Sequence, residues 1–174
     1  MVTQVVLTWI PCYNSRMFSK IYLAVLSAAV IVMVFFTYYS WSWLQSIGLP
    51  LAAVEGYAYH ESLAWMALWL FAVILLLLGN AVLWTSSRSW EMWTTFVYFS
   101  VFVIIRYFWL DQAYFQFKKA NGMFDGSFSI APIMAVILIV LMAIIVFFDT
   151  FLVTRLRAKT FPAIQQAEPE APAE

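Results

Sequence analysis

Apolar positions gather into four long blocks separated by sparse charges. Lys20 and Glu55 enclose the first, whose apolar part runs over 21–44. Glu61 and Arg88 enclose the second, 26 residues from Ser62 to Ser87, and Asp125 and Asp149 enclose the last, 23 residues from Gly126 to Phe148. Each exceeds the roughly 20 residues that cover about 30 Å of hydrocarbon at ~1.5 Å per residue. Backbone groups cannot stay unpaired in lipid, and the short alternating segments of a membrane barrel are missing, so the blocks predict helices. The third block is shorter, with 14 uncharged residues between Glu91 and Arg106. That is about 21 Å of helix, too little to span. The helix must therefore continue through Arg106 to Leu110 or beyond. Arg106 then lies roughly 9 Å below the far boundary, within reach of snorkelling. The predicted spans are 21–44, 62–86, 90–112 and 128–153, within a transmembrane domain over 20–158.

Composition turns these helices into a fold class. The chain is 65% hydrophobic and 10% charged, against about 25% charged in a soluble domain. Its apolar surface needs a bilayer as solvent, so the expectation is an all-α integral membrane protein, an antiparallel up-down bundle of four transmembrane helices. Zero net charge argues against nucleic acid as a partner. Cys12, the only cysteine, excludes an internal disulfide, a CxxC pair and a cysteine metal cage.

Charge also predicts orientation. Arg16, Lys20, Arg88, Arg155, Arg157 and Lys159 fall on one side; Lys118 and Lys119 fall on the other, with Arg106 just beneath them. The positive-inside rule puts both termini in the cytoplasm of a bacterial inner (cytoplasmic) membrane. Tyr38, Tyr39, Trp41 and Trp43 supply an outer aromatic belt, and Trp84, Trp90 and Trp93 an inner one.

Residues 1–19 read as an interfacial segment, without the basic start and cleavage site of a signal peptide, and Met17 is an alternative start. Residues 159–174 read as a flexible, acidic cytoplasmic tail rich in proline and alanine. "TSSRSWE" is short enough to force a hairpin, with Arg88 and Glu91 paired across three positions. The two outer connections, "SIGLPLAAVEGYAYHE" and "KKANGMFDGSFSIAP", read as longer loops. The second has turn chemistry at Asn121-Gly122 and Asp125-Gly126; Ser127 or Ser129 can cap the last helix, and Pro132 suits its first turn. No internal repeat is visible, which weakens an inverted-repeat transporter.

Candidate chemistry is sparse. Glu61, Arg106 and Asp111, with His60, form an outer polar cluster able to hold an anion or pass a proton. Arg106 and Asp111 are about 140° out of phase on an α-helix. Arg106 therefore needs another partner, Glu61, Glu55 or a lipid phosphate, and the simpler reading has it snorkel to the headgroups. His60, the only histidine, excludes two-histidine haem ligation within the chain but can offer one axial ligand to a pigment beside Trp65 and Trp69. No set of residues predicts a metal site. Asn80, next to Gly79, and Asp149 are expected in helix–helix contacts, with Arg88, Arg155 or Arg16 as partners for Asp149. No Ser/His/Asp set, phosphate loop or HExxH motif is present, so catalysis is not expected.

"TYYSWSWLQSIG" and "RYFWLDQAYF" complete the picture. Over residues 17–158 the chain resembles small four-helix accessory proteins of bacterial photosynthetic and respiratory complexes. The resemblance implies a non-catalytic subunit that stabilises a larger assembly, with other integral membrane subunits and lipids as partners. It implies no intrinsic cofactor, but lipid, (bacterio)chlorophyll or carotenoid at subunit interfaces. The rival is a small oligomeric carrier or channel that uses the outer polar cluster.

Overall fold

The computed structural model describes the backbone of residues 2–46, 50–86, 88–123 and 129–160, and side chains from residue 16 in the first helix and residue 55 in the second. The elements are α1 (Val2–Ser46), α2 (Pro50–Ser86), α3 (Trp90–Ile104), a π-helical turn (Ile105–Leu110), α4 (Asp111–Ala120) and α5 (Ala131–Thr160). α3, the wide turn and α4 run on as one rod. Four helical stretches are long and apolar enough to cross a membrane: Arg16–Gln45, Glu55–Ser86, Trp90–Ala120 and Ala131–Thr160.

Each is longer than the apolar block that predicted it. Charge marks where lipid would end, whereas a helix ends where its backbone is capped. Most of the expected first loop is helical, and α2 already starts at Pro50, a residue suited to a first turn because it has no N–H to leave unpaired. The segment expected over 1–19 joins the first span without a break, since α1 begins at Val2. α4 runs on through Lys118 and Lys119 to Ala120. It stops where Gly122 takes φ 67°. There Met123 N–H donates to Lys118 C=O at 3.0 Å and Gly122 N–H to Lys119 C=O at 3.2 Å. Those two bonds make a Schellman cap, so Asn121-Gly122 does end a helix. Ser129 Oγ accepts from Ala131 N–H at 3.3 Å, and Pro132 falls in the first turn of α5. Asp125-Gly126, Ser127 and the tail over 161–174 lie outside the described residues.

Ring contacts fix helix directions. Tyr39 meets His60 and Trp43 lies against Gly56, so α1 and α2 are antiparallel. Trp69 on Phe99, Trp65 on Tyr107 and Tyr57 on Tyr114 run α2 against the third span. The third span is thus parallel to α1, as expected of an up-down bundle. The core is aromatic and sulfur-rich, with Tyr22, Met33, Leu68, Leu75, Met92 and Phe99 enclosed. Outward faces carry Ile31, Phe35, Leu70, Leu77, Val136 and Phe148 exposed, an apolar exterior of the kind a bilayer can solvate.

Candidate functional site

Near the α1–α2 connection, the third span turns Arg106 inward. Phe99, Val103, Arg106 and Leu110 form one buried stripe. The arginine is 1% exposed, so it does not snorkel to the boundary: its side chain is held inside the bundle. Nη1 donates to Ser40 Oγ at 3.0 Å. Nε and Nη2, the parallel pair of donors that grips a carboxylate or phosphate, have no acceptor among the described residues.

The wide turn changes the geometry around it. Asp111 N–H bonds back to the Arg106 carbonyl, five residues earlier. That pattern is the π-helical one, and it places Asp111 about one turn beyond Arg106. The carboxylate is thereby within electrostatic reach of Arg106, Glu61 and Lys118. Glu61 takes a hydrogen bond from Trp65 Nε1 at 3.3 Å, and not from Arg106. Glu55 is exposed. Tyr57, buried and stacked on Tyr114 at 4.0 Å, has a hydroxyl without a partner among the described residues and lies within electrostatic reach of Arg106, Glu61 and Asp111. The expected cluster of Glu61, Arg106 and Asp111 is therefore gathered loosely, around an arginine that none of its carboxylates contacts directly.

His60 sits in an aromatic cage of Tyr39, Trp43 and Tyr59, with centroids 4.6, 5.8 and 5.4 Å away. Trp65 and Trp69, its expected neighbours, pack instead on Tyr107 and Phe99. Among the described residues, no three His, Cys, Asp or Glu side chains converge.

Toward the α2–α3 connection lie two further polar contacts. Asn80 Nδ2 donates to Asp149 Oδ2 at 2.6 Å, tying α2 to α5. Asp149 thus takes the amide and none of the arginines expected for it; Arg155 lies over the Phe151 ring at 5.0 Å. The expected Arg88–Glu91 pair is absent. Arg88 is exposed, whereas Glu91 is 1% exposed and faces α1. There Ser19 Oγ donates to Glu91 Oε1 at 3.2 Å, and Tyr22 Oη donates to the Glu91 carbonyl at 2.6 Å. Thr95 Oγ1 donates to the same carbonyl at 2.9 Å. The hairpin closes tightly here, with Met92 packed on Gly79.

On the outside, a groove of about 210 Å³ runs between α1 and the third span, lined by Val34, Thr37, Tyr38, Trp41, Phe102, Ile105 and Trp109. Thr37 turns its hydroxyl back onto the Met33 carbonyl at 2.8 Å, so its methyl group is left for the groove.

The chain matches no protein-family model, no curated protein and no solved structure.

Proposed function

We propose that this chain is a non-catalytic accessory subunit of a larger bacterial membrane complex of the energy-transducing kind, photosynthetic or respiratory. It sits in the inner membrane with both termini in the cytoplasm, stabilises the assembly, and holds a lipid or pigment chain where it meets its neighbours. The observation that carries this reading is the α1–third-span groove. It is an apolar, aromatic trough on the outer face of the bundle, closed at one end by the Trp41–Trp109 contact at 5.1 Å. An acyl or polyene chain, or a ridge of a partner helix, has the shape and chemistry to fill it. The internal polar residues support the same reading, because Asn80–Asp149, Ser19–Glu91 and Ser40–Arg106 all join helices.

Mild detergent extraction, a native gel, an absorption spectrum and mass spectrometry of the band test it. Co-migration with other integral membrane proteins is expected. Migration alone or only with itself, without lipid or pigment, overturns it.

Arg106 favours a second reading, the small oligomeric carrier or channel, because a buried guanidinium with an open donor edge suits a passing oxyanion. Arg106→Ala separates the two. A carrier loses transport, whereas an accessory subunit only assembles more loosely.

A further inference from the structure

Every hydroxyl proton in the group around Glu91 is already committed. Ser19, Tyr22 and Thr95 each direct their single hydroxyl proton onto a Glu91 oxygen or onto one another, since Tyr22 Oη also lies 2.9 Å from Thr95 Oγ1. What remains unused is lone pairs: those of the three hydroxyls, and the second carboxylate oxygen, Oε2, which has no partner among the described residues. The side chain is enclosed, and the nearby cations Arg16, Lys20 and Arg88 are exposed. A buried carboxylate without a counter-charge is costly, and Oε2, which receives none of the three hydroxyl protons, is open to a positive ion.

We propose that Glu91, Ser19, Tyr22 and Thr95 form a binding site for one monovalent alkali cation between α1 and α3. Oxygen ligands suit a hard cation, and hydroxyls and carbonyls replace its hydration shell. One formal negative charge selects a single positive one; calcium and magnesium sites recruit more carboxylates. The ion locks the start of the third span onto α1. This assignment is independent of the accessory-subunit reading, because a bundle in either role needs its helices fixed.

The test is thermal unfolding of the full chain in detergent, followed by tryptophan fluorescence, in sodium, potassium or N-methylglucamine chloride at constant ionic strength. The midpoint is expected to rise with the logarithm of sodium or potassium concentration above half-saturation, as for any ligand that binds only the folded state. N-methylglucamine is too large to enter and leaves the midpoint unchanged. Glu91→Gln abolishes the dependence. Should that variant not fold, Ser19→Ala and Tyr22→Phe each remove or disturb one ligand and shift half-saturation several-fold upward. Equal midpoints in all three salts overturn the proposal, as does an unshifted response in the Ser19 and Tyr22 variants. A midpoint that follows pH but not the alkali cation assigns a proton to Glu91 and overturns it too.

Discussion

Among the described residues, the one hydrogen bond of the Arg106 guanidinium goes to a neutral serine. Removing an ion from water costs several kcal/mol unless a counter-ion and full hydrogen bonding offset it, and replacing buried ionic groups with apolar ones of like volume is often stabilising. Arg106→Met is therefore expected to hold or raise stability by about 1 kcal/mol or more, read as the unfolding midpoint in detergent. Ser40→Ala removes the only acceptor among the described residues and is expected to lower it by about 1–3 kcal/mol. A marked loss in the methionine variant means instead that a bound anion compensates the arginine. The sequence located this residue along the helix axis but not on its face. Depth alone allowed snorkelling; the buried stripe of Phe99, Val103 and Leu110 decides against it. Glu91 was hidden for a similar reason. Arg88, three positions away, is an adequate local partner on paper, and nothing in the sequence shows that α1 brings Ser19 and Tyr22 to the carboxylate. Asn80 and Asp149 stand out because each is polar in an apolar run, although their pairing with each other required the fold.

At the scale of elements, three long helices were legible because gaps between charges exceed a bilayer's thickness, and the third span because its short gap had to continue through Arg106. Their true ends were not, because interfacial residues such as those in Pro50–Glu61 are polar enough for a loop and still good helix formers. The π-helical turn was not legible either, since one extra residue in a turn leaves no compositional trace. Close packing of α1 on α2 gives the prediction here. A Cβ added at Gly56 falls inside the Trp43 indole ring, whose own neighbour is His60. The ring must leave its slot or the helices must part. Gly56→Ala is expected to destabilise by about 1–3 kcal/mol despite its better helix propensity. A Gly56→Ala, Trp43→Ala double variant makes room for the methyl group, so the cost of Gly56→Ala should largely vanish in the Trp43→Ala background. An unchanged cost there means that the indole is not the obstacle.

For the whole molecule, the sidedness of the bundle and its outer groove belong together. A reporter that is active only outside the cytoplasm is expected to stay silent at the C-terminal end and to work when placed after Met123. The reverse pattern overturns the orientation inferred from the basic residues. In the proposed orientation the groove lies in the hydrocarbon layer, with its Trp41–Trp109 end toward the outer interface. Filling it should block whatever occupies it without touching the interior. Thr37 is suited to this, since its hydroxyl bonds only to its own helix backbone and its substitution removes no tie between helices. Thr37→Trp adds more than the groove can share with a guest. The expected result is an unaltered unfolding midpoint for the isolated chain, together with loss of co-migrating protein, lipid or pigment on a native gel. If the filled variant keeps every companion of the parent chain, the groove is not the contact, and the exposed face of α5 around Val136 and Phe148 becomes the surface to alter next. If its midpoint falls sharply, the indole has been forced into the bundle and the smaller Thr37→Leu serves in its place, with the same readout.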